Sequence, residues 1–216
     1  MKLEQVYMTL EDTKYEPLSR AKYQFTANYL TLFISDWLKK RKLDLGLFNR
    51  IVFQEGNDRD MSIVGDKAFR VCVEQEFTSL EQFTTKEYVH RYFTKKYLEG
   101  FARFDKEFNL NLTTDLQPLL EHGFCNSFKY DIKVKSKKIG SKTVIALHRY
   151  KYDRYDLVVQ TVNKEKEVLD EQVIFSCDPD PFIVHFDVNK IDIDNSKMRV
   201  INKVRETTIF YELKLV

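Results

Sequence analysis

The chain has 216 residues, 43% of them hydrophobic and 31% charged. That composition buries enough apolar surface to fold and excludes a disordered chain. Lys+Arg total 35 against 33 Asp+Glu, a formal net charge of +2, so overall charge draws in no polyanion and such a role needs a local patch. With 6 glycines and 4 prolines, collagen-like, linker-like and low-complexity architectures are also excluded.

The three cysteines, Cys72, Cys125 and Cys177, are far apart and odd in number. None sits in a CxxC or zinc-type spacing, which points to reduced thiols in a cytosolic protein. Met1 to Gln5 begins a polar stretch rather than a signal peptide. The most apolar window, Tyr29 to Leu38, is about half of the roughly 20 residues a membrane span requires. The expectation is a cytoplasmic protein without membrane contact.

In chain order, Pro17 suits the first turn of a helix running to about Arg41. Its expected apolar stripe is Leu18, Ala21, Phe25, Tyr29, Leu32 and Phe33. The closing Lys39-Lys40-Arg41-Lys42 complements the helix dipole, the alternative being a nucleic-acid or lipid contact. Two short β-like runs follow, Asn49 to Gln54 and Ala68 to Phe77. Thr78 or Ser79, with Glu81 or Gln82 three residues on, predicts a capping box opening a second helix. The stripe of that helix is Val89, Phe93, Tyr97, Phe101, Phe104 and Phe108. A third, short helix fits Asp115 to His122 after Thr114, with Gly123 at its C-terminal end.

From Phe128 the period becomes two. Phe128, Tyr130, Ile132 and Val134 alternate with Lys129, Asp131, Lys133 and Lys135. Further strand-like runs cover 143–150, 155–162, 172–177, 182–188, 198–204 and 207–216, separated by turn-rich segments. Short connections favour antiparallel neighbours. The predicted class is α+β, a helical N-terminal half packed on a C-terminal antiparallel β-meander. The expected organisation is a single domain over 1–216, helix-rich in 1–127 and strand-rich in 128–216.

The closest two glycines lie nine residues apart, so neither GxGxxG nor GxxxxGK[ST] occurs, and GxSxG and HExxH are absent as well. No cofactor and no metal are expected. Three weaker patterns remain. Glu87 and His90 form a lone Glu-x-x-His, a metal motif only when paired with a second copy, and otherwise a hydrogen-bonded core histidine. His185 and Asp187 would share one face of a strand, as a general-base pair or as its polar outer side. Pro179-Asp180 followed by Glu212-Leu213-Lys214 resembles the word order of the PD…(D/E)xK metal-dependent nucleases, which implies two carboxylates on Mg²⁺ and a lysine beside the attacking water.

Local charge is more informative. Residues 129–151 hold eight basic side chains and one acid, whereas 164–194 hold nine acids against three lysines. The candidate partner-binding residues are Lys133, Lys135, Lys137, Lys138, Lys142 and Arg149. Together they lead to the expectation of a non-catalytic binding protein that docks a protein partner through charged surfaces, a toxin-neutralising immunity protein being one concrete form. The alternative is a nucleic-acid-binding protein or nuclease using the basic hairpin with the interleaved Tyr150, Tyr152 and Tyr155. Intramolecular pairing of opposite charges across adjacent strands would account for the same pattern without any partner.

Overall fold

The first element is a strand that helical periodicity in the N-terminal half does not announce. Val6, Met8 and Leu10 are buried and alternate with Tyr7 and Thr9 in β1 (Gln5–Leu10), a period of two carried by six residues. The computed structural model describes residues 1–56, 61–65, 67–122, 124, 127–180, 184, 188, 190–194, 197–201 and 209–214, the last stretch mainly as backbone. The chain divides into two units, Met1–Phe128 and Lys129–Val216, at the residue where the hydrophobic period changes. Among the described residues, α-helices α1 to α3 belong to the first unit and an antiparallel meander to the second, an α+β protein.

In the N-terminal unit, α1 (Pro17–Arg41) carries the chain from β1 to its parallel neighbour β2 (Arg50–Glu55). A helical crossover is the usual way to join parallel neighbours. β4 (Ala68–Val73) extends the parallel set, and β3 (Met61–Val64) closes one edge antiparallel, giving the order β1-β2-β4-β3. Then come one 3-10 turn (Leu80–Gln82), α2 (Lys86–Phe108) and α3 (Leu112–His122). The N-terminal half is therefore helices on a four-stranded mixed sheet, with two more strands than expected.

The bounds of α1 match the expectation but its stripe does not. Leu18 is 67% exposed, and of the six expected positions only Tyr29 is buried. The inward positions are Tyr23, Ala27, Leu30, Ile34 and Leu38. Ala27 to Thr31 are buried without interruption, so the helix is covered on more than one side and offers no single apolar face to the eye.

The capping box expected at Thr78 or Ser79 does not open α2: only a 3-10 turn follows, and its N-cap Ser79 makes no side-chain cap bond. The Thr78 N–H and hydroxyl both donate to Gln82 Oε1 at 3.0 Å. α2 opens seven residues later, where Thr85 Oγ1 accepts the Tyr88 N–H at 3.2 Å. α3 starts at Leu112, three residues before the expected position. Asp105, on α2, accepts the Leu112 and Thr113 N–H groups at 2.9 and 2.7 Å, a cap supplied from the preceding helix.

The α2 stripe is borne out at five of its six positions: Val89, Phe93, Tyr97, Phe101 and Phe104 are buried, and Phe108 is half-buried. Phe53 of β2 meets Tyr97 and Phe101 edge-on at 5.8 and 4.9 Å, and Phe69 of β4 meets Phe104 at 5.8 Å. Such edge-to-face pairs add about 0.5–1.5 kcal/mol each beyond area burial. Gly100 makes this approach possible, since a Cβ there would overlap the Phe53 ring. Helix propensity favours alanine over glycine by about 1 kcal/mol, but the clash reverses the sign. Gly100→Ala should lower the urea midpoint, with a loss of about 1–3 kcal/mol; an unchanged or higher midpoint would refute the packing described.

Glu55, at the end of β2, is 0% exposed. Its carboxylate accepts the Tyr23 hydroxyl at 2.6 Å, the Tyr92 hydroxyl at 2.5 Å, and the N–H groups of Glu76 and Phe77. One side chain thus joins α1, α2 and the segment after β4 to the central strand. Burial, and then the neighbouring Glu55, push both tyrosine hydroxyls far above their ordinary value, which keeps them protonated as donors. Glu55→Ala leaves two backbone N–H groups and two tyrosine hydroxyls without their acceptor. A loss on the order of 3 kcal/mol is expected from urea unfolding of the full chain, and wild-type stability in that variant would contradict the network.

The C-terminal unit holds the meander β5 (Lys129–Ile139), β6 (Lys142–Lys151), β7 (Tyr155–Val162) and β8 (Val168–Cys177) in sequential order. A second antiparallel sheet, ordered β11-β10-β9, follows from β9 (Lys190–Ile193), β10 (Lys197–Ile201) and β11 (Ile209–Lys214). Val144, Ala146, Leu157 and Val159 from the first sheet share one core with Ile191, Ile193, Met198 and Val200 from the second. Residues 202–204, 207–208 and 215–216 of the expected strands lie outside the described residues. The strand expected over 182–188 is not seen at its described positions. Val184 N–H donates to the Asp180 carbonyl at 3.1 Å and Val188 N–H to the Val184 carbonyl at 2.9 Å, the four-residue spacing of a helix. Val184 and Val188 are both buried, and apolar residues four apart satisfy either period.

Candidate functional site

The basic hairpin forms as β5 and β6, but its lysines do not share a face. Lys133 pairs with Leu147 and Lys135 with Ala146, so Val134 is an extra residue that β6 does not match, a β-bulge. Each bulge reverses the alternation beyond it. Lys135 and Lys137 therefore stand opposite Ala146 and Val144, on the inner side that carries the core. Lys138 pairs with Thr143 and returns to the outer side with Lys133. Lys142 is exposed at the start of β6.

Arg149 is buried rather than presented to a partner. Its Nε and one terminal nitrogen each meet a carboxylate oxygen of Asp131 on β5 at 2.9 Å. The terminal nitrogens reach the two oxygens of Glu171 on β8 at 2.7 and 3.0 Å. Two bidentate carboxylates on one guanidinium make a strong, directional clamp across the sheet. The basic and acidic segments thus pair in part with each other. The hydrogen bond to Arg149 drives the Glu171 carboxyl down to about 2. At Asp156, burial pushes the pKa up, but hydrogen bonds from Lys151 (2.6 Å) and Ser176 (2.7 Å) overcome it and hold the group below its ordinary value.

Beyond this clamp, toward the β5–β6 and β7–β8 turns, the outer side holds a half-open concavity of about 580 Å³. Lys133, Lys138, Lys164 and Lys166 line it, with Ser141 and Thr143 among the hydroxyls and Ile145, Val162 and Val168 as apolar floor. Its described lining residues include no Asp or Glu. Among the described residues the ammonium groups of these four lysines make no ion pair or hydrogen bond, unlike those of Lys129, Lys151, Lys190 and Lys197. The β7–β8 turn is set by Asn163, whose Oδ1 accepts the Glu167 N–H at 2.8 Å while its Nδ2 donates to the Glu167 carboxylate at 2.7 Å. That holds the Glu167 carboxylate in a local bond. Lys166 adopts a left-handed φ of 66° there. Lys164 and Lys166 escape a charge count by segment, because they sit among the acids of 164–194 and join Lys133 and Lys138 only through the register of the sheet.

Tyr150 and Tyr155, two of the aromatic side chains interleaved with the basic run, turn away from this face. Tyr155 is fully buried in the inner core, and Tyr150 packs at 5.3 Å from its ring, half-buried. Tyr155 also hydrogen-bonds His148 Nδ1 at 3.2 Å, and burial lowers His148 to about 4.

The remaining sequence candidates are placed as follows. His90 bridges three helical segments, with Nε2 2.9 Å from the Leu120 carbonyl and Nδ1 3.0 Å from the Tyr29 hydroxyl. A carbonyl only accepts, so Nε2 carries the proton and Nδ1 accepts from Tyr29. Burial depresses its pKa, and Glu87 points to solvent beside Lys86. His185 and Asp187 lie outside the described residues. Asp180 accepts from Val184 through its backbone, and Glu212 is paired with Arg199 and Lys197 at 3.1 and 3.2 Å; the Lys214 side chain lies outside the described residues. In the basic end of α1, Lys40 pairs with Asp36 at 2.8 Å, and Arg41 pairs with Asp115 at 2.7 Å and lies over Trp37. Among the described residues no group of three or more His, Cys, Asp or Glu is arranged to hold a metal ion, and no helix is long and apolar enough to cross a membrane.

No protein-family model, no curated protein and no solved structure matches the chain.

The clamp and the buried histidine make stability fall on acidification. Glu171 ionises at about 2 in the fold against an ordinary 4.5, so its contribution is complete above 4.5 and is lost as pH falls toward 2. His148 is held neutral down to about 4 against an ordinary 6.5, so the unfolded chain gains the proton first and stability drops between those values. Urea midpoints measured from pH 7 to pH 3 should decline throughout, and Glu171→Gln should flatten the part below 4.5. A variant profile parallel to wild type there would refute the clamp.

Proposed function

We propose that the protein is a binding module that docks an acidic protein partner through the outer side of the β5–β8 sheet. The observation that carries this is the set of four unpaired lysines, Lys133, Lys138, Lys164 and Lys166, gathered around one concavity whose described lining residues include no carboxylate. Like charges brought together without counter-charge destabilise a fold slightly and repel one another, so their assembly fits a surface completed by an anionic partner. The apolar floor of Ile145, Val162 and Val168 supplies the dehydrated centre that such an interface uses beneath its polar rim.

A protein surface suits this site better than a nucleic acid. Single-stranded nucleic acid relies on exposed rings on which bases stack, and Tyr155 and Tyr150 are turned to the inner core. A toxin-neutralising immunity protein is one concrete member of the class, since such a protein needs charge complementarity and fast association rather than chemistry.

The test is capture from native extract with the full chain as bait, with and without nuclease. A stoichiometric protein partner that survives nuclease is expected, with association slowed on the order of tenfold by raised ionic strength. The quadruple variant Lys133→Glu, Lys138→Glu, Lys164→Glu and Lys166→Glu should lose that partner while keeping its circular dichroism spectrum. Lys135→Glu with Lys137→Glu, on the inner side, should retain it. Equal capture by the quadruple variant, or loss of all bound material on nuclease treatment, would overturn the proposal.

A further inference from the structure

We infer that the concavity is a phosphoryl-binding site and that the docking partner presents phosphorylated side chains to it. This rests on the docking role and specifies the group that is recognised. Three observations distinguish phosphoryl from carboxylate.

The first is donor geometry. A planar carboxylate is matched by the flat fork of a guanidinium, whereas a tetrahedral oxyanion is served by separate donors that converge from several directions. Four lysines line the concavity, two from β5 (Lys133, Lys138) and two from the β7–β8 turn (Lys164, Lys166), so that they come from separate segments of the sheet. The arginine of this face, Arg149, is already held by two carboxylates.

The second is charge. A phosphomonoester carries about −1.5 to −2 near neutral pH. Two such groups offset four lysines, whereas carboxylates would need twice as many side chains in the same space. A volume of about 580 Å³ has room for two phosphorylated side chains and the chain that bears them.

The third is hydrogen bonding. Ser141 and Thr143 line the same space, and neither hydroxyl has a hydrogen-bond partner among the described residues. Hydroxyl donors complete the coordination of phosphoryl oxygens that lysines reach only as point charges. Ile145, Val162 and Val168 would receive the apolar residues between the two phosphoryl groups.

Isothermal titration of the full chain tests this with four probes. They are a short peptide alternating valine with two phosphoserines, the same peptide with aspartate at those positions, the same peptide with unmodified serine, and inorganic tripolyphosphate. The phosphopeptide should bind at least tenfold more tightly than the aspartate peptide, and the serine peptide should not bind. Lys138→Ala with Lys164→Ala should remove that preference, whereas Lys135→Ala, on the other side of the sheet, should leave it intact. Equal affinity for phosphoserine and aspartate peptides would overturn phosphoryl recognition while leaving an acidic docking surface in place. Binding of none of the four probes would overturn both. Binding of tripolyphosphate without the phosphopeptide would overturn the assignment to a protein-borne group and point to a free polyphosphorylated ligand.

Discussion

A buried carboxylate organises the N-terminal unit. Glu55 has lost its water entirely, and an unpaired charge in that position would be costly enough to prevent folding. Four donors converge on it, two tyrosine hydroxyls and two backbone N–H groups. To supply them, α1 must bring Tyr23, α2 must bring Tyr92 and the chain leaving β4 must turn back at Glu76. The aromatic packing along α2 then gathers around a position already specified. Hydrophobic burial provides most of the driving force, and the carboxylate selects one arrangement from the many that would bury a similar apolar area.

The C-terminal unit uses the same device with opposite charge. Arg149 is buried on the outer side of its sheet and tied to Asp131 and Glu171 on strands to either side. The clamp engages Asp131 and Glu171, and the described lining of the lysine concavity holds no carboxylate. Neutralised and unneutralised regions therefore lie side by side on one face, with the clamp at one end and four unpaired lysines at the other.

One bulge determines which lysines meet. Lys133 and Lys138 are an odd number of residues apart, and strict alternation would place them on opposite sides of β5. The extra residue Val134 resets the alternation. Lys138 returns to the outer side and Lys135 and Lys137 move to the inner one. The β7–β8 turn, held by Asn163 and Glu167, contributes Lys164 and Lys166 from a segment whose average charge is negative.

Local sequence was sufficient for the α+β class, the bounds of α1, the α2 stripe and the meander from β5 to β8. Each depends on periodicity over ten or more residues, or on strands joined by short turns, and neighbours along the chain determine both. It was insufficient for β1, β3 and β9, whose runs of six, four and four residues are too short to stand out. It was also insufficient for the α1 face, which is covered on several sides, and for the start of α3, which Asp105 caps across a turn. At the candidate site, composition located the basic hairpin but assigned Arg149 to the surface and missed Lys164 and Lys166. Burial of Arg149, the reset of alternation at Val134 and the meeting of two turns are consequences of strand register. Register is a relation between segments that no single segment encodes, so tertiary structure alone decided which charges were spent inside the fold and which were left facing out.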